Sequence, residues 1–303
     1  MALRDIILVI IVNIAWGLNF IAVLFAVDGF PPLLANTIRF VSVVVFLLPF
    51  LKIIPGRMKD MMTIAFVMGV VHFGAIFIGM SKTEEVSTIA IVGQLSVPFA
   101  TLMSVLMLGE SVGWKRAAAI VLSFAGVIIL GFDPKVFGYI DAVLWIVFSS
   151  FIYGVSTVLM RRLKDVRATT TQAWIAVGGI IGSLILSLLW ESDHIRVIQA
   201  ASLSAWGGVL YSAIGSSIIG HGGVNYLLRK YEVSVVAPYL LMTPFFAILG
   251  GIVFLGEALT WRVIVGGAMT LLGVLIVTLR NKARVEEELD AEGLNNETSH
   301  QVR

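Results

Sequence analysis

The chain has 303 residues, of which 58% are hydrophobic and 13% are charged, and its mean hydropathy is +0.98. These values exclude an ordinary water-soluble globular protein and indicate an integral membrane protein. The formal net charge is only +2, and the basic residues follow a membrane pattern and form no patch for nucleic acid. The absence of cysteine excludes disulfides and thiolate metal sites.

Ten apolar runs are long enough to cross a bilayer, because about 20 helical residues at about 1.5 Å each span its hydrocarbon. Runs of this length favour helices over a barrel, whose strands would alternate polar and apolar residues. We therefore predict an all-α integral membrane protein. In chain order, the predicted spans are residues 5–27, 31–51, 61–80, 86–109, 114–131, 138–158, 169–190, 206–228, 233–255 and 260–280.

The positions of lysine and arginine predict the orientation, because these residues are enriched in short loops on the cytoplasmic side. With the N-terminus inside, fifteen of the 21 basic residues lie on the inner side and four on the outer side. The first span is too long for the apolar core of a signal peptide, so we expect it to be retained. Both termini are thus predicted to be cytoplasmic, and residues 281–303 form a polar cytoplasmic tail.

Two similar segments indicate an internal repeat: LSVPFATLMSVLMLGE at 95–110 and LMTPFFAILGGIVFLGE at 241–257. We predict two repeats of five spans each, at residues 1–132 and 133–280. Because five is an odd number, the second repeat is inverted, as in secondary transporters whose substrate site lies near the midplane. Further matches pair Glu85, Val86, Ser87, Ala90, Trp114 and Gly126 with Glu232, Val233, Ser234, Ala237, Trp261 and Gly273.

Several motifs resemble a known family: WGLNF at 16–20, PPLLANTIRF at 31–40, LLRKYEVSVVAPYLLMTPF at 227–245, and the two LGE endings. Together they resemble the EamA-type branch of the drug/metabolite transporter superfamily over roughly residues 5–280. The resemblance implies an exporter of small metabolites in the bacterial inner membrane, with amino acids and their derivatives as the expected substrates. It also implies that spans 1–4 and 6–9 surround a central cavity, with the fifth and tenth spans at the periphery.

Two prolines mark one part of the predicted substrate pathway. Pro98 and Pro244 fall near the middles of spans 4 and 9, where each is expected to free a carbonyl one turn earlier, at Gln94 and Leu240. Polar backbone would then be available at mid-membrane depth. The alternative is that the prolines only kink packed helices. The polar side chains that would complete this lining are Gln94, Tyr239 and Thr243.

Arg39 is the only basic residue well inside a predicted span, about eight positions or roughly 12 Å from its outer end. An ionisable residue at such depth is a candidate functional residue, and a guanidinium suits a substrate carboxylate through paired hydrogen bonds. The alternative is that Arg39 snorkels outward or ties helix carbonyls together.

Other polar residues recur at helical spacing within spans 1, 3, 6 and 8. Each set either lines a hydrated pathway or joins helices through buried hydrogen bonds, and the sequence leaves both interpretations open. The histidines could also carry protons near neutral pH. These candidates are Asn13, Trp16, Asn19, His72, Ser149, Tyr153, His221 and Asn225.

Energy coupling is only partly constrained by the sequence. No Asp or Glu lies near the middle of a predicted span, which disfavours a carboxylate proton relay, and proton coupling through a histidine or passive export are both open. No phosphate-binding GxxxxGK[ST] loop is present. We predict a secondary transporter of a small molecule, with no cofactor, metal or catalytic residue. The alternatives are a drug or other-solute exporter of the same fold, an intramembrane enzyme and an assembly subunit, and the oligomeric state is undefined.

Overall fold

A computed structural model describes residues 1–231, 236 and 239–280, without the side chains of residues 225, 228 and 229. These residues contain helices and no β-strand, which confirms the prediction of an all-α membrane protein. Nine of their helices are long and apolar enough to span a bilayer, and one apolar helix is shorter. In chain order they are α1 (Leu3–Gly29), α2 (Pro32–Phe50), α3 (Met58–Met80), α4 (Val86–Leu108), α5 (Trp114–Gly131), α6 (Ile140–Leu163), α7 (Ala168–Trp190), α8 (Leu203–Val224), the shorter α9 (Thr243–Leu255) and α10 (Trp261–Arg280).

The ninth predicted span, residues 233–255, is described only in part, and its second part is α9 with 13 residues. Residues 232–235, 237 and 238 lie outside the described residues, as does the predicted tail at 281–303. The repeat matches at Glu232, Val233, Ser234 and Ala237 therefore have no structural counterpart to compare.

Both prolines stand in the first turn of a helical segment, and the prediction of a freed carbonyl at Gln94 is wrong. Helix α4 ends its first part at Gly93, turns, and restarts at Ser96, and the carbonyl of Gln94 accepts the amide of Val97 at 3.1 Å. Pro244 is likewise at the start of α9, after a turn at residues 241 and 242. Proline is tolerated there because first-turn amides have no partner within the helix.

Helices α3 and α8 each contain a π-helical segment, which the sequence analysis did not predict. The segments are Ala65–His72 and Ser212–His221, and each ends at one of the two candidate histidines. These helices occupy the third position of the two predicted repeats. π-helical segments are rare and occur often at functional sites. Their matching positions in the two halves make the residues around His72 and His221 candidates for a functional site.

The repeated LGE sequence has a local physical cause. Gly109 and Gly256 end α4 and α9 with φ of 69° and 68°, in the left-handed conformation that favours glycine. The glycine ends the helix and directs the following glutamate back toward the protein: Glu110 pairs with Arg161 and Glu257 with the start of α4.

Helices of the two halves pack in matching pairs. The first helix of each half contacts the third and fourth helices of the other half, so α1 packs on α8 and α9 while α6 packs on α3 and α4. Gly17 of α1 faces Phe246 and Ala247, and Gly154 of α6 faces Phe99 and Ala100, at backbone distances that leave no room for a Cβ atom. In addition, α2 packs on α7, and α5 contacts α10 through Gly126 and Thr270. Corresponding helices of the two halves therefore have corresponding neighbours.

Candidate functional site

Buried and half-buried polar side chains from five helices form a set of contacts. We call this set the Arg39 cluster; its members come from α1, α2, α3, α6 and α8. Contacts between neighbours define it: Arg39 with Ser217, His72 with Ser149, and Trp16 with His221. The Phe73 ring connects two of these pairs, because its centroid lies 4.4 Å from the Arg39 guanidinium carbon and 4.8 Å from the His72 ring centroid. The members are Trp16, Arg39, His72, Ser149, Ser217 and His221.

Arg39 is 1% exposed, so the snorkelling alternative is wrong. Its Nη2 donates to Ser217 Oγ at 3.3 Å, and its guanidinium carbon lies 4.4 Å from the ring centroid of Phe73 and 4.8 Å from that of Phe40. Nε and Nη1 are buried without a hydrogen-bond partner. Among the described residues, no carboxylate forms an ion pair with Arg39.

A buried cation with unpaired donors is energetically unfavourable, because desolvation of an ion is only partly offset by the aromatic rings. Such a group retains capacity to bind an anion. The arrangement can therefore accept a carboxylate oxygen at Nε or at Nη1, the two donors that the protein leaves unpaired, and each of them forms a two-donor fork with Nη2.

His72 joins α3 to α6 through Ser149. Its Nδ1 lies 3.0 Å from the Ser149 carbonyl oxygen and 2.8 Å from Ser149 Oγ, and that hydroxyl donates to the His72 carbonyl at 3.1 Å. The contacts of His72 and Ser149 are thus those of side chains that join two helices. Tyr153, one turn further along α6, has its ring 5.3 Å from His72 and is 37% exposed.

On α1, two of the three candidate residues join helices. Asn13 is fully buried, donates to the Val9 carbonyl at 2.7 Å and accepts from Thr243 Oγ1 at 2.8 Å, which connects α1 to α9. Trp16 donates from Nε1 to the Ser216 carbonyl at 3.1 Å, which connects α1 to α8. Asn19 differs, because its Oδ1 is buried without a partner.

On α8, His221 packs edge-on against the Trp16 indole with a centroid distance of 5.2 Å. Ser217, one turn before it, accepts the hydrogen bond from Arg39. Asn225, the other candidate of the eighth predicted span, has a side chain that lies outside the described part of the structure.

The candidates of α4 and the ninth predicted span are separate from Arg39 in every contact that the structure describes. Pro98 and Pro244 are buried in helix starts, and Thr243 is engaged by Asn13. Gln94 is half-buried and Tyr239 is 37% exposed.

Asn36 is a site residue that the sequence analysis missed. It is fully buried on α2, three residues before Arg39, which places the two side chains on one helix face. Its Nδ2 donates to Ser183 Oγ of α7 at 2.8 Å, whereas its Oδ1 has no partner. The spacing in NTIR at 36–39 was the available signal, because residues three apart on a helix are neighbours.

The predicted outer end of the fold is held by a buried carboxylate. Glu257 is 8% exposed and accepts hydrogen bonds from the amides of Val86 and Ser87 and from the Ser87 hydroxyl. This arrangement caps the N-terminus of α4, where the unpaired amides and the helix dipole favour negative charge. The predicted counterpart on the inner side, Glu110, contacts Arg161 at 2.6 Å.

One apolar groove has no member of the Arg39 cluster in its lining. It runs between α3, α6 and α7 and is lined by side chains that include Phe66, Val70, Trp145 and Ile181. These are apolar groups on the outer faces of spanning helices, so lipid chains suffice to fill it.

Known proteins share the sequence pattern of this chain over almost its whole length. The profile of the EamA-like transporter family matches residues 3–132 and 141–279. A protein of Salmonella typhimurium named "Probable amino-acid metabolite efflux pump" is 25% identical over 94% of this chain and 99% of its own length. An Archaeoglobus fulgidus protein named "Uncharacterized transporter" is 26% identical over 86% of this chain and 94% of its own length.

A solved structure described as "Crystal structure of protein" has the same fold. It superposes with a TM-score of 0.62 at 17% identity, and the match covers 94% of this chain and all of the other.

Proposed function

Since this chain belongs to the EamA-like transporter family, we propose that it is a secondary transporter that exports small metabolites, most specifically amino acids or their derivatives, across the bacterial inner membrane. Both named relatives are described as a transporter or an efflux pump, which favours transport over catalysis. The wording of the Salmonella name favours amino-acid metabolites as the substrate class.

One observation carries the substrate proposal: Arg39 is a buried guanidinium with two unpaired donors. A carboxylate supplies the missing charge and an acceptor oxygen for an unpaired donor of Arg39. The rings of Phe40 and Phe73 lie against the Arg39 guanidinium, and the ring of Trp16 lies against His221. These rings would accommodate an apolar substituent of the substrate.

The transport cycle that we propose is alternating access between two inverted repeats, residues 1–132 and 133–280, which form ten spans. The matching packing of α1 on α8 and α9, and of α6 on α3 and α4, supports this division. The turns before Pro98 and Pro244 interrupt α4 and the ninth span at corresponding places, where small changes of backbone angle would tilt the helix ends. Cytoplasmic termini and the polar tail at 281–303 belong to the same proposal.

Efflux from reconstituted vesicles tests this function. Vesicles are loaded with a panel of radiolabelled amino acids and their N-acetyl, O-acetyl and 2-oxo derivatives, and efflux is compared between wild type and Arg39→Ala. The matched control is Arg116→Ala, which removes a second buried arginine, on α5.

We expect flux of at least one carboxylate in the wild type, loss of that flux in Arg39→Ala, and retention in Arg116→Ala. Wild-type vesicles that carry no member of the panel, with or without a proton gradient, would contradict the proposal. Equal flux in Arg39→Ala and wild type would remove Arg39 from the substrate site.

A further inference from the structure

The Arg39 cluster contains one fixed positive charge and, among the described residues, no carboxylate to balance it. The acidic residues of the described spanning helices stand near helix ends, and the buried ones have partners there. Asp5 accepts from Lys230 and Tyr231, each at 2.6 Å, and Glu257 is taken by the start of α4. An empty site is therefore cationic, and a site that holds a monocarboxylate is neutral.

A zwitterionic amino acid fits this environment poorly. Its carboxylate could pair with Arg39, but its ammonium would be buried near a guanidinium with only neutral acceptors around it. The filled site would then retain a net charge of one, with the unfavourable desolvation that such a charge entails. A substrate without the ammonium leaves no charge uncompensated.

Asn36 adds a second requirement. Its Oδ1 is a buried acceptor without a partner among the described residues, and Asn36 stands three residues before Arg39 on α2. Side chains three residues apart on a helix have Cβ atoms about 5–6 Å apart. An N-acyl amino acid carries its amide N–H two bonds from the carboxyl carbon. It could therefore place the carboxylate on Arg39 and the N–H on Asn36 together.

We infer that the transported species is a net-anionic N-acylated amino acid, and that each molecule exported carries one negative charge outward without a compensating ion. An inside-negative membrane potential would then drive export directly. This inference rests on the proposed function, because it specifies the substrate and energetics of the same site. It also explains how export could be driven although no Asp or Glu lies near the middle of a predicted span.

Matched substrates test the inference without knowledge of the preferred side chain. Three sets are built on serine, leucine and phenylalanine, and each set contains the free amino acid, its N-acetyl derivative and its 2-oxo acid. The three members of a set share one side chain and differ in net charge and in the N–H group. Initial efflux is measured from proteoliposomes at neutral pH, with protein-free vesicles as the leak control.

The potential is set by valinomycin. An outward potassium gradient of about tenfold makes the vesicle interior negative and should drive a monovalent anion toward an outside-to-inside ratio of about tenfold. Reversal of the gradient should reverse the direction. A protonophore is added in a parallel series, where persistence of flux separates this mechanism from proton coupling through His72 or His221.

Asn36→Asp is the variant that tests charge. The substituted carboxylate is isosteric with the amide and would pair with Arg39, so we expect it to reduce N-acetyl amino acid flux by at least about tenfold. Thr37→Val is its control on the same helix, because Thr37 Oγ1 bonds only to the Leu33 carbonyl of α2. Comparison of substrates in the wild type does not depend on whether Asn36→Asp folds.

The results expected are faster flux of the N-acetyl compounds than of the 2-oxo acids, much slower flux of the free amino acids, and acceleration by an inside-negative potential. Free amino acids carried as fast as their N-acetyl derivatives, without a response to potential, would overturn the inference and leave the exporter function intact. Absence of flux for all nine compounds would also overturn the inference, and absence of flux across the full efflux panel would overturn the proposed function.

Discussion

Replacement of Arg39 by methionine should make the substrate-free protein more stable while it abolishes carboxylate transport. The guanidinium is 1% exposed and makes only one hydrogen bond, to Ser217 at 3.3 Å, and two aromatic contacts, with Phe40 and Phe73. A residue that exists mainly to stabilise the fold would have its donors paired. Two of the donors of Arg39 are buried and unpaired.

The magnitude follows from these contacts. The hydrogen bond and each cation–π contact contribute about 1–2 kcal/mol, against several kcal/mol for desolvation of the ion. Methionine keeps the packing against both rings, and replacement of buried charged groups by apolar residues of similar volume has stabilised other proteins by about 1–4 kcal/mol. We expect about 1–2 kcal/mol for Arg39→Met, a Tm rise of about 2–8 °C.

Thermal unfolding in one detergent, at one protein concentration and without substrate, measures this effect. Arg116→Met is the matched control, because Arg116 is a buried arginine that does have an interaction to lose. Its Tm should fall. If Arg39→Met instead unfolds at a lower temperature than the wild type, Arg39 is required by the fold, and its assignment to substrate binding loses its physical basis.

Three other substitutions test separate parts of the fold. Glu257→Gln should lower the free energy of unfolding by about 1–3 kcal/mol, measured by thermal unfolding, because the cap of α4 loses its charge. Glu110→Gln removes a more exposed ion pair and should change it by less than about 1 kcal/mol. Equal effects of the two substitutions would contradict the capping role of Glu257. Gly126→Ala should lower the free energy of unfolding by about 1–3 kcal/mol because the new Cβ would meet Thr270 of α10. Gly131 faces open space, so Gly131→Ala should leave stability unchanged. A Gly126→Ala protein as stable as the wild type would argue against the contact between α5 and α10. The double variant Pro98→Ala, Pro244→Ala should fold but transport several-fold more slowly, and wild-type flux would show that the two interruptions have no part in the cycle.

The sequence alone predicted the features that follow from hydropathy or from a residue type that is rare within membrane spans. Long apolar runs predicted the spanning helices within a few residues, since backbone groups in a bilayer leave few alternatives to a helix. Arg39 was recognisable because a basic residue within a span is costly. The glutamates of the LGE motifs were expected at helix ends, where both are found.

Features that depend on contacts between distant segments were not predictable in the same way. Ser217, the hydrogen-bond partner of Arg39, is 178 residues away in the chain, and Thr243 reaches Asn13 across 230 residues. Hydropathy also does not distinguish an α-helix from a π-helix, because both bury the same apolar side chains. The π segments that end at His72 and His221 were missed for this reason.

The interruption of α4 is a further feature that the sequence does not predict. A proline in an apolar run predicts a lost hydrogen bond, but whether the helix bends or stops depends on neighbours that the sequence does not reveal. In this protein the chain turns at Gln94 and Leu95, and the proline falls in the first turn of the next segment. The carbonyl that was expected to be free is thereby bonded locally.

The most direct test of the central claim, that Arg39 binds the carboxylate of the substrate, is a ligand titration followed by thermal unfolding. Wild type and Arg39→Met are titrated with the carboxylate of the efflux panel that is carried fastest, and with its methyl ester. We predict that the carboxylate stabilises the wild type by about 2.7 kcal/mol at about 100 times its Kd, while the ester and the variant show no shift. Equal stabilisation by the ester, or an undiminished shift in Arg39→Met, would contradict the claim.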